Sequence, residues 1–369
     1  MRIFQSCSNQ NTIMPCLAVN AIKKHPYISP YTPEQIKKAY FFPDAPILNQ
    51  NISIVVAYGY SACLCDLDAF SRYFQLPPPN VSVFYPQGTP ELTDPFWALE
   101  TALDLQWTHA LAPESSINLV VAKSASDSDL IDAVDYAVGL DAPLIAMCWG
   151  TKEFTDEIIL DYHFRLTEVT FIAASGNSGV PSWPSVSPSV ISAGGTSLQI
   201  DSNGRVKSSE LAWYFSGGGI SEFETRPRWQ YNGLLEGCKT NFRITPDISF
   251  FSDPCPGVPV YISIPVSISK NVELEGWTQV GGTSLSCIGI TSILSYVGYF
   301  SKEHPLFLPA LYHLSGQKEY KNPYHVFHDI KNGNSLNYPA SCGYDLATGL
   351  GTLHVSKFLR AINELDLKC

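Results

Sequence analysis

Short apolar segments that alternate with helical patterns constrain the fold of this chain more than any other feature of its sequence. The apolar strand candidates are Ile52–Tyr58, Ile117–Ala122, Pro143–Cys148, Val169–Ala174 and Val190–Leu198. Helical periodicity is present at Asp66–Phe74, Trp97–Leu111, Asp127–Val138 and Thr155–Leu166. Continuous apolar strands joined by helices of this length are typical of a parallel sheet that is buried on both faces. The pattern therefore predicts one doubly wound α/β domain.

We expect this domain to occupy residues 51–369. The preceding residues 1–50 are rich in Asn, Pro and Tyr and are predicted to form an N-terminal arm. Residues 216–261 are rich in Gly, Pro and aromatic residues, which predicts loops and irregular strands. Residues 324–353 form a second loop-rich segment, and no internal repeat is present.

The composition is that of a globular protein with few charges. Hydrophobic residues make up 45% of the chain, and charged residues make up 15%, below the roughly 25% of typical soluble domains. The net charge of −11 argues against nucleic acid or an anionic membrane as a partner. The N-terminus lacks the apolar stretch of a secretory signal, and the longest apolar helix candidate, Ile288–Phe300, is too short to span a bilayer.

Ten cysteines are spread over the whole chain rather than grouped. They are Cys7, Cys16, Cys63, Cys65, Cys148, Cys238, Cys255, Cys287, Cys342 and Cys369. None forms a Cys/His cluster with zinc-like spacing. Buried free thiols are at least as compatible with this distribution as disulfides are, so the redox compartment stays open.

A glycine turn leads into an apolar helical run at Gly281–Ser286. Ser284 is therefore predicted to lie at or near a helix N-terminus, where unpaired N–H groups stabilise negative charge. A serine in that position can act as a nucleophile beside an oxyanion site. The simpler alternative is that Thr283 or Ser284 only caps the helix, and from this fragment alone capping is favoured.

A carboxylate pair, rather than a histidine, is the candidate base for this serine. None of the eight histidines has the neighbouring glycine expected of a subtilisin-type enzyme. Glu100 and Asp104 lie four residues apart on a predicted helix, so both carboxylates project from one face. If they are buried, one of them keeps its proton well above the ordinary pKa, and the pair can take and return a proton. The alternative is an acidic patch on a solvated face, which the flanking Trp97 and Trp107 disfavour.

Taken together, these segments resemble the sedolisin family, the serine-carboxyl peptidases that include tripeptidyl-peptidase. The resemblance covers nearly the whole chain and rests on Tyr31–Ile36 with Ala39-Tyr40, Glu100–Trp107, Ala174–Gly179, Ser216–Ser221, Arg243–Asp247 and Gly282–Ser284. It implies a subtilisin-like fold, a single catalytic domain whose parallel sheet has helices on both faces. It also implies hydrolysis of peptide bonds through an acyl-enzyme, by an endopeptidase or a tripeptidyl-peptidase. Ser284 would be the nucleophile, Glu100 the base, Asp104 its partner, and Asn177 part of the oxyanion hole.

The resemblance further implies one structural Ca²⁺ ion. Phe327–Ile330 and Gly343–Asp345 look like the family's C-terminal calcium loop, here near residues 327–351. The expected ligands are the carboxylates of Asp329 and Asp345 and the carbonyl groups of Ile330, Ser341 and Gly343, with water completing the shell. Without the resemblance, two loop aspartates that form Asx-turns would be preferred.

The chain also departs from the family pattern. Asn177 stands where the family normally has Asp, and an amide donates a hydrogen bond at any pH, so the link between activity and acid is weakened. Ile288 stands in place of a frequent Pro, Cys148 in place of a frequent Ser, and Lys331 lies in the calcium loop. The large propeptide that normally precedes the catalytic domain is not expected in this chain. Family members are usually secreted or lysosomal, although no signal peptide is recognised here.

Peptides or proteins are the expected substrates, and three alternative functions compete with that of a peptidase. A catalytically inactive sedolisin-like binding or regulatory protein is favoured by Asn177 and by the missing propeptide, and it is opposed by the intact Glu100, Asp104 and Ser284. A lipase or esterase is disfavoured because no G-x-S-x-G elbow occurs. A purely structural calcium-binding protein would need the loop aspartates but not the helix carboxylates.

Overall fold

The computed structural model describes most of the chain. The described residues are 2–4, 13–20, 30–44, 50–165, 168–231, 239–269, 272–297, 307–316 and 325–366. Cys7, Cys238 and Cys369, Leu166 of one predicted helix, and the end of another at residues 298–300 lie outside them. Of the other seven cysteines, four are buried: Cys16, Cys63, Cys148 and Cys287.

Ten of the strands form one central sheet. The strands in the described residues are β1 (Arg2–Phe4), β2 (Met14–Pro15), β3 (Leu17–Asn20), β4 (Ile52–Ala57), β5 (Val81–Phe84), β6 (Ile117–Ala122), β7 (Leu144–Met147), β8 (Trp149–Lys152), β9 (Thr170–Ala174), β10 (Ser182–Trp183), β11 (Val190–Ser197), β12 (Leu211–Ala212), β13 (Gly219–Thr225), β14 (Phe242–Thr245), β15 (Ile248–Phe251), β16 (Val258–Ser269), β17 (Val272–Gly282), β18 (Phe327–His328) and β19 (Thr352–Leu353). The order in the central sheet is β18-β19-β15-β11-β9-β7-β4-β6-β5, and β12 pairs with β11.

The central sheet is parallel from β5 to β19, and only β18 and β12 pair antiparallel with it. Every residue of β4, β7, β9 and β15 is buried, so both faces of the sheet are covered, as expected for an all-parallel core. The predicted α/β fold is therefore confirmed.

Eight α-helices are present in the described residues. They are α1 (Pro33–Ala39), α2 (Cys63–Tyr73), α3 (Pro95–Leu111), α4 (Asp127–Val138), α5 (Glu157–Leu160), α6 (Thr283–Ser295), α7 (Phe307–Ser315) and α8 (Val355–Asp366). Among these described helices, none combines the length and the apolar character that a bilayer crossing requires.

Helix α3 carries the carboxylate pair through the interior of the protein. Asp94 caps its N-terminus by accepting hydrogen bonds from the backbone N–H groups of Phe96 (2.9 Å) and Trp97 (3.0 Å), and Pro95 occupies the first turn. From Trp97 to the end of the helix every residue is buried, because α3 packs between α2, α6 and the strands. A helix that is covered all round leaves no solvated face for its charged residues.

Two expectations about secondary structure are wrong. The helix predicted at Thr155–Leu166 is shorter, since α5 has four residues and a 3₁₀ turn, Asp161–Phe164, follows it. His163 in this turn contacts Asp135 of α4 (2.8 Å), which holds the turn against that helix. Residues 216–261, predicted as loops and irregular strands, contain the core strand β15 and the first four residues of β16, which forms a long antiparallel hairpin with β17.

Candidate active site

The two carboxylates of α3 lie together in the interior and face the start of α6. Glu100, Asp104 and Ser284 are each 0% exposed. The carboxylate oxygens of Glu100 and Asp104 and the thiol sulfur of Cys148 lie within 4.8 Å of one another. The alternative of an acidic patch on a solvated helix face is therefore wrong, because the helix buries that face against α6.

Burial controls the electrostatics of this pair. The four carboxylate oxygens are buried without a well-formed hydrogen bond among the described residues. Burial, and after it the charge of Asp104, raises the pKa of Glu100 well above its usual value, while the neighbouring Ser284 hydroxyl opposes the increase. Burial likewise raises the pKa of Asp104 to about 7. Two adjacent carboxyl groups in such surroundings cannot both ionise easily, so the pair holds a proton that it can exchange with a third group.

Ser284 lies in the first turn of α6. Its hydroxyl group donates to the carbonyl oxygen of Cys148 (3.3 Å), and its backbone N–H donates to the carbonyl oxygen of Cys16 (3.3 Å). The capping alternative is wrong, because Gly282 occupies the N-cap position and no side chain forms a capping hydrogen bond. The hydroxyl of Ser284 is therefore not used to terminate the helix.

Asn177 reaches the same place from the loop after β9. Its Oδ1 accepts hydrogen bonds from the backbone N–H of Thr283 (3.0 Å) and from the Thr283 hydroxyl (3.0 Å). That hydroxyl accepts in turn from the backbone N–H of Gly176 (3.1 Å), so its single proton is directed to Asn177. With Oδ1 fixed by two donors, the Nδ2 group points the other way and donates to the Cys16 carbonyl oxygen (2.6 Å).

A strand of the chain itself passes between these groups, which the sequence did not reveal. On one side of Cys16, β2 pairs antiparallel with β8, and on the other side β3 pairs antiparallel with the end of β17. The backbone N–H of Cys16 donates to the carbonyl oxygen of Cys148 (2.9 Å). Gly282 has φ of +105°, and a Cβ atom there would lie 2.3 Å from the Cys16 carbonyl oxygen, so only glycine allows this strand to pass. The apolar run from Ile13 to Val19 inside a polar arm was the available signal.

The Cys16 carbonyl oxygen therefore receives two hydrogen bonds, from the Asn177 side chain and from the Ser284 backbone. Two converging N–H donors beside a serine hydroxyl are the arrangement that stabilises the oxyanion of an acyl-transfer intermediate. Thr283, which orients Asn177, and Cys16, which occupies the site, are the residues that sequence reasoning missed.

The remaining motifs line or support this centre. The loop that begins at Ser216 packs directly on the segment before Asn177, because a Cβ atom on Gly217 would lie 1.9 Å from the Ser175 carbonyl oxygen. Arg243 and Asp247 form a fully buried two-bond ion pair (2.8 and 2.6 Å). Their role in the described structure is to hold the start of β15 rather than to face the cleft.

A second group of carboxyl groups, three buried and one partly buried, lies beside the cleft. Its members are Glu153, Glu157, Asp161 and Glu224. Glu153 follows β8 and accepts a hydrogen bond from Ser221 of the neighbouring loop. Burial raises the pKa of all four, to about 9 for Glu157 and about 8 for Glu224. This group was not predicted from the sequence.

In the predicted calcium loop, backbone N–H groups donate hydrogen bonds to both aspartate carboxylates. The Asp329 carboxylate accepts from the N–H of Gly343 (3.1 and 3.2 Å), and the Lys331 ammonium group lies 3.6 Å from it. The Asp345 carboxylate accepts from the N–H of Ser341 (2.8 Å) and from three donors of Ala347 and Thr348. The oxygen-rich donor set suits Ca²⁺, whereas the Lys331 charge opposes an ion at Asp329.

The known proteins that are similar to this chain in sequence include sedolisin, kumamolisin and tripeptidyl-peptidase 1. No protein-family model matches the chain. Sedolisin from Pseudomonas sp. (strain 101) is 30% identical over 51% of this chain and 34% of its own length. Kumamolisin from Bacillus sp. (strain MN-32) is 28% identical over 90% of this chain and 63% of its length, and tripeptidyl-peptidase 1 from Dictyostelium discoideum is 28% identical over 78% and 50%. The chain thus spans less than two thirds of each of these relatives.

A solved structure is similar over almost its whole length. Pseudomonas sedolisin, a serine-carboxyl proteinase complexed with two molecules of pseudo-iodotyrostatin, has a TM-score of 0.79 and 25% sequence identity. The match covers 91% of this chain and 99% of that chain. A lanthipeptide protease, with a TM-score of 0.54 and 13% identity over 90% of this chain and 93% of its own, shares the fold alone.

Proposed function

The chain belongs to the sedolisin family, and from that premise we propose that it is a serine-type peptidase that hydrolyses peptide bonds through an acyl-enzyme. The observation that carries this proposal is a peptide carbonyl group, that of Cys16, held by the side chain of Asn177 and the backbone N–H of Ser284. The substrates are peptides or proteins whose extended backbone takes the same path.

Each residue has a distinct task in the proposed reaction. Glu100 takes the proton from the Ser284 hydroxyl as the oxygen attacks the scissile carbonyl carbon, and Asp104 shares the proton that the pair then holds. Asn177 Nδ2 and the Ser284 N–H stabilise the oxyanion. The pair returns the proton to the leaving amine, and a water molecule activated by Glu100 hydrolyses the ester.

Burial is what makes the Glu100–Asp104 pair useful as a base. Glu100 must lose a proton to act as a base, while the pair must retain one proton for the leaving group. Because burial raises the pKa of both groups, the singly protonated pair persists toward neutral pH. An amide in the oxyanion site adds no further titration, so we expect activity to extend from acid into the neutral range.

Cleavage within a chain is favoured over removal of tripeptides. The described strand in the cleft has four residues on each side of the Cys16–Leu17 bond, from Ile13 to Asn20. Ile13, four positions before the bond, is buried at a cavity of about 500 Å³ that Phe154 and Trp183 also line. An enzyme that removes tripeptides needs the N-terminus of its substrate three residues before the scissile bond. A cleft that also accommodates a fourth residue before that bond has no such requirement.

An aldehyde peptide inhibitor tests the proposal against the strongest alternative. The occupied cleft favours a non-catalytic binding or regulatory protein, in which Ser284 would stay unreactive. We expect the aldehyde to form an adduct on Ser284, visible as an added mass of the intact protein and absent in Ser284→Ala. An unmodified wild-type protein under conditions where the cleft is open would reject the peptidase.

We further propose that the loop at residues 327–351 binds one Ca²⁺ ion. The carboxylates of Asp329 and Asp345 and the carbonyl groups of Ile330, Ser341 and Gly343 would hold it, and the ion would stabilise the loop without entering the reaction. The clustering of oxygen donors supports this calcium site, and the positive charge of Lys331 opposes it. Calorimetric titration with CaCl₂ tests this site. If no heat of binding is measured and CaCl₂ does not raise the melting temperature, the calcium site is refuted.

A further inference from the structure

We propose that Glu100, Asp104 and Cys148 form a binding site for a divalent cation that prefers thiolate ligands, with Zn²⁺ as the best fit, and that the bound ion holds the peptidase inactive. This site is separate from the predicted calcium loop, and it goes beyond the proposed function. Binding of the ion does not require that function, whereas the inhibitory effect of the ion rests on it.

Three side chains from two parts of the fold bring their ligand atoms together here. One carboxylate oxygen of Glu100, one of Asp104 and the sulfur of Cys148 lie within 4.8 Å of one another, and all three side chains are 0% exposed. In the part of the chain that the structure describes, no other three Cys, His, Asp or Glu side chains come so close. A tetrahedral zinc ion, with bonds of about 2.0–2.3 Å, holds its ligand atoms about 3.5 Å apart, so side-chain movements of about 1 Å would close the set on an ion.

Regular elements hold the three ligands in place. Glu100 and Asp104 lie one turn apart on α3, the spacing at which two ligands on one helix bind the same zinc ion. Cys148 lies between β7 and β8, and its carbonyl oxygen accepts hydrogen bonds from the Cys16 N–H (2.9 Å) and the Ser284 hydroxyl (3.3 Å). The thiol is therefore fixed toward the carboxylates by main-chain contacts that an ion would not disturb.

The carboxylate oxygens of this group have no partner in the surrounding protein. All four oxygens of Glu100 and Asp104 are buried without a hydrogen-bond partner among the described residues. The Cys148 thiol donates a long hydrogen bond, with its sulfur 3.7 Å from the Ser284 carbonyl oxygen. Buried oxygens without a partner are costly, and a shared proton satisfies only part of the pair. A divalent cation would compensate the charges of both carboxylates at once.

The thiol selects the kind of ion. Ca²⁺ and Mg²⁺ prefer sites built from oxygen alone, whereas a thiolate favours Zn²⁺. Three protein ligands leave a fourth position for water or for the Ser284 hydroxyl. Binding would release the thiol proton and the proton that the carboxyl pair holds to the solvent. With its oxygen bound to the ion, Glu100 could no longer accept the proton of Ser284, and the acyl-enzyme would not form.

Equilibrium dialysis of the purified full chain against ZnCl₂, followed by measurement of the metal content, tests the site. We expect the wild type to retain one ion per chain more than Cys148→Ser. With CoCl₂ in place of ZnCl₂, the wild type should show the near-ultraviolet charge-transfer band of a cobalt–thiolate bond, and Cys148→Ser should lack it. Cys65→Ser is the matched control, because Cys65 is an exposed thiol outside the site, and it should keep both the ion and the band.

A second variant separates loss of a ligand from loss of the fold. Asp104→Asn keeps the thiol and nearly the same shape, and it should weaken binding by more than about tenfold. Equal metal content in wild type, Cys148→Ser and Asp104→Asn, or a wild-type cobalt complex without the thiolate band, would overturn the site.

Peptide hydrolysis with the cleft open tests the inhibitory effect. Zn²⁺ should abolish hydrolysis by the wild type, and a chelator should restore it. Relative to its own metal-free rate, Cys148→Ser should need at least about tenfold more Zn²⁺ for the same inhibition. An ion that binds as expected but leaves hydrolysis unchanged overturns the inhibition. A protein that binds the ion through Cys148 but hydrolyses no peptide in its absence supports the site and refutes the proposed function.

Discussion

Replacement of Glu157 by glutamine tests whether the carboxyl groups beside the cleft make this protein most stable in acid. Glu157 is 0% exposed. One of its oxygens accepts from the Phe154 N–H (2.8 Å), and the other has no partner among the described residues. Burial, aided by the charges of Glu153 and Glu224 and opposed by the Phe154 hydrogen bond, raises the pKa of Glu157 from 4.5 to about 9.

The direction of the pH effect follows from proton binding in the two states. The unfolded chain loses the Glu157 proton near pH 4.5, whereas the folded protein keeps it up to about pH 9. The stabilising contribution of Glu157 is therefore complete below pH 4.5 and is lost as the pH rises toward 9. At about 1.4 kcal/mol per pH unit, the loss by about pH 7 is roughly 3 kcal/mol if Glu157 titrates alone, and less where its neighbours share the proton.

Glutamine reproduces the protonated carboxyl group and removes the titration. Its Oε1 can still accept from Phe154, and its amide can donate where the carboxyl proton does. In a Ser284→Ala background, which prevents self-digestion, we expect Glu157→Gln to match its parent near pH 4.5. Near pH 7 it should melt up to roughly 6 °C higher, at about 2 °C per kcal/mol for a chain of this size.

Glu168→Gln is the matched control, because Glu168 is an exposed glutamate in the next segment of the chain. It removes the same charge without touching the buried group and should leave the pH dependence unchanged. Two results would refute the reasoning. One is a parent protein whose melting temperature is flat or rises between these pH values, and the other is a Glu157→Gln variant that loses stability equally at every pH.

The remaining predictions concern the oxyanion site and the calcium loop. Asn177→Ala should lower kcat by about 10²–10³-fold with little change in KM. Asn177→Asp should move the pH profile of peptide hydrolysis to more acidic values, because an aspartate donates only while protonated, and a profile that is no more acidic would contradict the role of the amide. Thr283→Val should lower kcat roughly tenfold at an unchanged KM, since Asn177 loses an orienting donor, and Thr283→Ser should restore it. Lys331→Met should increase the rise in melting temperature that CaCl₂ produces, and an unchanged rise would mean that the ammonium group does not compete with the ion.

The parallel sheet and the carboxylate pair were predictable because their signals are local. Each strand of the sheet is a continuous apolar run, and spacing alone places Glu100 and Asp104 on one face of a helix that aromatic residues make apolar. Their proximity to Ser284 required the resemblance to a family, because the packing of α3 on α6 joins residues that lie far apart in the chain.

The strand in the cleft and the second carboxyl group were not predictable for the opposite reason. The strand around Cys16 is held by pairing with β8 and β17, whose residues lie more than a hundred positions away, and its own sequence specifies no partner. Glu157 follows Thr155 and Asp156, and Glu224 lies between Glu222 and Arg226, so the neighbouring residues do not mark either carboxyl group as buried. Only the folded chain shows that both are buried, and therefore that each holds its proton above its ordinary pKa.

Hydrolysis of an unbiased peptide library tests the central claim most directly. Wild type, Ser284→Ala and Glu100→Gln are compared from about pH 3 to about pH 8, each after the same limited digestion with an added protease has removed the N-terminal arm from the cleft, so that the cleft is open in all three. We expect wild type to cut internal bonds with a maximum in the acidic to neutral range, and both variants to lose the activity. Hydrolysis that persists in Ser284→Ala, or a wild-type protein that cuts nothing with its cleft open, would contradict the account.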